Sequence, residues 1–122
     1  MAVKKGMRRM SFALTTHAFL DGTKTVTRRL GWGNLKPGDR LLAVEKCMGL
    51  KKGEKHKVLG RIEVVSVRKE SLWDITNEDV VKEGFPHMRR GDFIDMFRSA
   101  MRCEMTAVVT RIEFRKLEDG EA

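Results

Sequence analysis

Strand-like and helix-like stretches follow one another irregularly along this chain, and that irregularity limits its fold more than any other feature. A doubly wound parallel sheet needs a regular strand–helix repeat, which is missing. Arg9 to Leu14 suits a short strand. Thr16 offers an N-cap for a helix over His17 to Asp21, and Gly22 suits its C′ position. Thr25-Val26-Thr27 is β-branched throughout and favours extended backbone. Lys36-Pro37-Gly38-Asp39 is a turn that feeds a strand over Leu41 to Val44. Gly49 to Lys57 reads as a loop. Val58 to Arg68 is a long strand whose apolar parity changes between Val64 and Val65, the signature of a bulge or bend. Val108 to Arg115 alternates, with Val108, Ile112 and Phe114 on one face and Arg111, Glu113 and Arg115 on the other, as in a half-buried strand. Two helices lie between these strands. Thr76 caps the first, with Asp79 at N3, Ile75 and Val80 as a staple, and Gly84 at its end. Asp92 caps the second, whose Phe93, Phe97, Ala100 and Met101 face the core. The expected class is α+β: a small mixed β-barrel of about five to six strands with two to three short helices.

The length, 122 residues, supports one core. Residues 9–116 form the expected domain, 1–8 a basic flexible start and 117–122 a frayed end. No apolar run approaches the roughly 20 residues of a membrane span, and no apolar signal core follows the basic N-terminus, so a cytoplasmic location is expected. Cys47 and Cys103 form neither a CxxC pair nor a metal-ligand spacing. His17, His56 and His87 make no HxxxH or HExxH pattern, so neither metal nor other cofactor is expected; His17 is the histidine expected to pack inside.

The net charge of +8 is concentrated. Residues 1–40 carry nine basic side chains against two acids, Asp21 and Asp39, whereas residues 41–122 carry sixteen against fifteen. A concentrated positive field attracts polyanions and releases their counterions on binding.

The densest polar constellation is Gly22-Thr23-Lys24-Thr25-Val26-Thr27-Arg28-Arg29. Glycine permits close backbone approach, lysine is a point charge whose pKa falls on burial, and arginine is a planar fork for phosphate or a base edge. Gly22, Lys24, Thr27 and Arg29 resemble the ASCH signature G-x-K-x-x-[E/T]-x-R. Leu35 to Arg40 looks like the turn before a barrel strand in that family, and Glu83-Gly84-Phe85 like its E-G-F segment. Val109 to Phe114 is similar to the last strand of small phage-encoded members. The resemblance implies a PUA-like barrel with a cleft beside the G-x-K motif and an association with RNA or modified nucleosides. It further implies kinship with small bacterial amidohydrolases that remove the acetyl group from acetylcytidine. Those enzymes carry threonine in the sixth place, which Thr27 matches, and Lys24 and Glu83 match their lysine and glutamate. This chain departs from them in Arg28, directly after Thr27, and in the basic loop 49–57.

Amide hydrolysis needs a nucleophile, a base and oxyanion stabilisation. Thr27 attacks the acyl carbonyl if a neutral Lys24 takes its proton. Burial and the nearby Arg28 and Arg29 lower the lysine's pKa, whereas a close Glu83 raises it. Glu83 then orients the lysine, relays protons or binds the base's polar edge. A regular strand places Lys24 and Thr27 on opposite faces, so convergence requires a turn or bulge near Thr25. Glu83 in the last helical turn opposes the dipole, which a partner such as Lys24 or Arg29 would explain.

Three functions compete. A nucleic-acid-binding domain, with RNA favoured and DNA possible, grips phosphates through Arg28, Arg29, Arg8, Arg9, Lys51 and Lys52 and receives a base near Gly22, Thr25, Trp32 and Phe85. An amidohydrolase uses Thr27, Lys24 and Glu83 on an acylated pyrimidine nucleoside. An adaptor binds an acidic protein through the same basic face. A monomer without membrane contact is the default.

Overall fold

The computed structural model describes residues 7–46, 53 and 57–121. Its elements are β1 (Arg9–Ser11), α1 (Thr16–Leu20), β2 (Val26–Arg29), β3 (Arg40–Val44), β4 (Val58–Ser71), α2 (Asn77–Lys82), α3 (Arg90–Met101) and β5 (Val108–Lys116), with short 3-10 turns before α1 and after β4. The class is α+β. One mixed sheet has the order β1-β3-β4-β5-β2. β1 and β3 are parallel, and the other neighbours antiparallel.

The expected barrel is not closed. β1 and β2 are the two edges of the sheet, and no ladder joins them among the described residues. Where a barrel would have a ladder, Arg29 of β2 donates one hydrogen bond to the Ser11 carbonyl of β1 at 2.6 Å. The edge strands have three and four residues, and short edges limit pairing with other chains.

β4 ties the molecule together. Its register against β5 steps from Val64↔Phe114 to Ser66↔Glu113, leaving Val65 as an exposed bulge where the apolar parity changes. One apolar cluster gathers Met10, Phe12, Phe19, Leu41, Ile62, Ile112 and Phe114. The Phe12 ring lies 4.7 Å from Phe19 and 5.5 Å from Phe114. A second cluster gathers Leu72, Ile75, Val80, Phe93, Ile94, Phe97 and Val109. Each fully buried side chain of this size is worth about 1.5–3 kcal/mol.

Several local expectations need correction. Val108 is exposed and Val109 is buried. Arg111 is buried too, because Asp79 of α2 covers its face of β5, so residues 109–112 are enclosed on both sides. In α3 the buried residues are Phe93, Ile94 and Phe97, while Ala100 and Met101 are exposed. Asp92 is not the N-cap; its carboxylate accepts from the Arg89 amide at 3.1 Å from inside the first turn. α1 begins at Thr16, whose hydroxyl donates back to the Phe12 carbonyl at 2.8 Å. His17 is exposed. Residues 117–121 are tied down rather than frayed: Leu117 is buried, its amide donates to the Arg61 carbonyl, and Arg61 donates to the Glu121 carbonyl at 2.6 Å. Thr76 does accept from the Asp79 amide at 3.1 Å, with Ile75 and Val80 in one cluster.

Candidate functional site

The site is built where the backbone between α1 and β2 is irregular. Gly22 leaves α1 with φ 83°. The Lys24 amide then donates to Ala18 at 3.1 Å, and the Thr25 amide to Lys82 at the end of α2 at 2.8 Å. Regular pairing starts only at Val26. Strand alternation therefore does not separate Lys24 from Thr27, and both buried side chains line one cavity.

Glu83 reaches the same cavity from the C-cap of α2 and is 3% exposed. Lys24 Nζ donates to the Glu83 carbonyl at 2.7 Å and to Oε1 at 3.1 Å. The ammonium thus meets both the helix C-terminus and the carboxylate that the dipole alone would disfavour. Burial pushes the Lys24 pKa below the ordinary lysine value; the Glu83 charge and hydrogen bond oppose this, and Arg29 and Arg28 add to it.

Behind this pair lies a buried ion network. Arg28 donates to Glu83 Oε2 at 3.1 Å, Glu70 Oε2 at 2.8 Å and Asp79 Oδ2 at 2.6 Å. Arg111 grips both Asp79 oxygens, at 2.6 and 3.1 Å. Arg28 and Arg111 are direct cross-strand partners, an arrangement that repels unless an anion intervenes. Asp79 supplies that anion. The Arg111 hydrogen bond, followed by Arg28, holds the Asp79 carboxyl far below its usual range against the opposing effect of burial. Burial favours the protonated form of Glu70, but hydrogen bonds from Arg28 and Arg68 outweigh it and lower the pKa.

The cavity is about 270 Å³. Lys24, Thr27, Arg28, Arg29 and Glu83 form its polar side, and Phe85, Phe93, Met96 and Phe97 its apolar side. Leu14 and Met101, both exposed, stand at its rim. Arg29 Nε donates to the Thr27 hydroxyl at 3.0 Å, and its guanidinium lies 5.2 Å from the centre of the Phe12 ring.

Lys24, Thr27, Glu83, Arg28, Arg29 and Phe85 therefore meet in one place. Gly22 and Thr25 are exposed and do not line the cavity; they shape the backbone beside it. Arg8 and Arg9 are exposed outside it, Arg8 lying 5.2 Å over the Trp32 ring. Trp32 packs against the first apolar cluster rather than in the cavity. Lys51, Lys52, Cys47 and His56 lie outside the described residues. Arg28 is not a free phosphate grip: its side chain is 1% exposed and engaged by three carboxylates. Sequence reasoning missed Glu70, Asp79 and Arg111, whose roles depend on partners far along the chain. It assigned Phe93 and Phe97 to the core alone, although both also wall the cavity. Among the described residues, no group of three or more His, Cys, Asp or Glu could hold a metal ion, and no helix is long and apolar enough to cross a membrane.

No family model matches the sequence, and no curated protein does. Solved structures do. An ASCH domain from Lactobacillus crispatus JV V101 superposes with TM-score 0.68 at 16% identity, covering 90% of this chain and 79% of that one. Protein EF3133 from Enterococcus faecalis V583, of the DUF984 family, gives TM-score 0.62 at 10% identity, covering 96% and 83%. A mutant ZmASCH protein from Zymomonas mobilis gives 0.52 at 14% identity, covering 94% and 76%. With its open five-stranded mixed sheet and three helices, this chain has the fold of the ASCH domain structures.

Proposed function

We propose that the cavity binds a pyrimidine nucleoside acylated on its exocyclic amine and hydrolyses the amide. The observation that carries this reading is the buried Lys24–Glu83 pair beside the Thr27 hydroxyl in a cavity with an aromatic wall. Its volume lies near the roughly 300 Å³ lower bound of small-molecule sites, which suits one nucleoside. Phe85, Phe93 and Phe97 offer apolar surface to a base, and the polar groups opposite meet the acyl carbonyl.

The steps use groups that line the cavity together. Neutral Lys24 accepts the Thr27 hydroxyl proton as Oγ1 attacks the acyl carbon. The Arg29 Nε–H, already bonded to Oγ1, stabilises the developing alkoxide. Collapse of the tetrahedral intermediate breaks the C–N bond, and the Lys24 proton passes to the leaving amine. Water then gives a proton to Lys24 as its oxygen adds to the Thr27 ester carbon; on collapse the C–Oγ1 bond breaks, and Lys24 passes that proton to Oγ1, which releases the acid and restores the Thr27 hydroxyl and the neutral lysine. Glu83 holds the lysine through two contacts from one residue.

Acetylcytidine turnover tests this. Lys24→Ala, Thr27→Ala and Glu83→Ala are each expected to lower kcat/KM by about 10²–10⁴-fold while the fold persists by circular dichroism. A folded Thr27→Ala protein with full activity rules out the nucleophile, and an inert wild-type protein rules out the reaction.

The exposed arginines support a second reading. Arg8 leads directly into β1, which begins at Arg9 and whose end at Ser11 borders the cavity. In this reading Arg8 and Arg9 hold phosphates of an RNA or DNA strand whose base enters the pocket.

A further inference from the structure

We infer that Arg28 is a positioning residue that keeps Lys24 a weak proton acceptor by sharing the Glu83 carboxylate with it. This rests on the reading of Lys24 as the base, but its physical content is independently measurable. Glu83 presents Oε1 to Lys24 and Oε2 to Arg28, both at 3.1 Å. A carboxylate held by one cation stabilises that cation fully; held by two, it stabilises each less. Arg28 also adds its own repulsion toward the ammonium.

Arg28 is in turn restrained. Its terminal nitrogens contact Glu83, Glu70 of β4 and Asp79 of α2, and Arg111 of β5 competes for Asp79. Among the described residues its buried Nε has no hydrogen-bond partner, so the terminal nitrogens place the guanidinium. Arg68 draws on Glu70 from the solvent side. The charged groups facing Lys24 itself are Glu83 from the end of α2 and Arg28 and Arg29 from β2. Each group that neutralises Arg28 leaves less of its charge for Glu83. The network therefore works as a graded control: a stronger Arg28 lowers the proton affinity of Lys24, and a weaker one raises it.

The arrangement makes two variants move Lys24 in opposite directions. Arg28→Met gives Glu83 wholly to Lys24, so the lysine holds its proton to higher pH. Arg28→Lys keeps the charge but not the fork, and restores part of the wild-type behaviour. Glu70→Gln, at the outer edge of the network, frees Arg28 for Glu83 and lets Lys24 lose its proton at lower pH. The titration is read directly from the side-chain NMR signal of Lys24 in protein with labelled lysine, assigned by its loss in Lys24→Met. In parallel, the acid limb of the acetylcytidine pH–rate profile moves up for Arg28→Met and down for Glu70→Gln, the rate at a fixed pH on that limb changing about tenfold per pH unit of movement. Opposite displacements of the NMR titration support the inference even if no substrate is turned over, in which case only the amidohydrolase reading fails. Should Arg28→Met not fold, Glu70→Gln decides alone. A Lys24 titration unmoved in every folded variant, or moved the same way by both, overturns it.

Discussion

Asp79 prevents two arginines on adjacent strands from repelling each other inside the protein. Removing one partner from a buried ion cluster leaves the others desolvated and unpaired, which costs more than the pairing itself contributes. Asp79→Asn is expected to destabilise the fold by about 3 kcal/mol, the low end for a buried pair, because Glu70 keeps the cluster in touch with solvent. The pH dependence has a definite sign. The folded carboxyl titrates below its ordinary value of 3.8, so its contribution is complete above that value and is lost as pH falls through the folded one. Urea unfolding at several pH values checks this. The gap between wild type and variant should narrow in acid, and parallel stability curves down to the most acid pH would contradict the assignment.

Helix α2 has six residues, too few for stability in isolation. It persists because Thr76 caps its start, Val80 packs into the second cluster, and Lys24 and the Thr25 amide close its end. Gly84 makes that closure possible. It has φ 100°, and a Cβ there would lie 2.8 Å from the Ala18 Cβ of α1. Gly84→Ala combines left-handed strain with a clash between two helices, so a loss of about 2–4 kcal/mol is expected. The same shift draws the Glu83 carbonyl away from Lys24. Chemical denaturation and turnover should therefore fall together; wild-type stability in this variant would mean that α1 and α2 are less tightly apposed than the structure shows.

Across the whole molecule, charge along the chain is not charge on the surface. Two of the nine basic residues in the first third, Lys24 and Arg28, are buried against Glu70, Asp79 and Glu83 from later segments. Arg40 likewise pairs with Glu63 at 3.2 Å. The outward positive field near the cavity is accordingly smaller than the sequence count suggests, and Arg8 and Arg9 are its exposed members beside β1. If a single strand binds there, Arg8→Ala with Arg9→Ala should reduce the slope of log affinity against log salt by about 1.4, near 0.7 per lost phosphate contact. Titration of labelled RNA and DNA at several salt concentrations measures it. An unchanged slope removes these arginines from the binding surface, and no measurable affinity removes the second reading.

The sequence by itself determined what depends on neighbours a few residues apart. The Val64–Val65 parity change marks the bulge, Gly22 and Gly84 occupy positive-φ positions after their helices, and Thr76 caps α2. Lys24, Thr27 and Arg29 of the motif and Glu83, all legible in the sequence, are among the residues that line the cavity, whereas the motif's Gly22 is not. Only the tertiary structure decided which edge strands stay unpaired, which of Val108 and Val109 is buried, and that Arg28 faces inward. Those outcomes depend on partners such as Glu83 and Asp79, 55 and 51 positions from Arg28. Local periodicity carries no information about such partners, because their proximity arises only when the strands curl and α2 is laid across them.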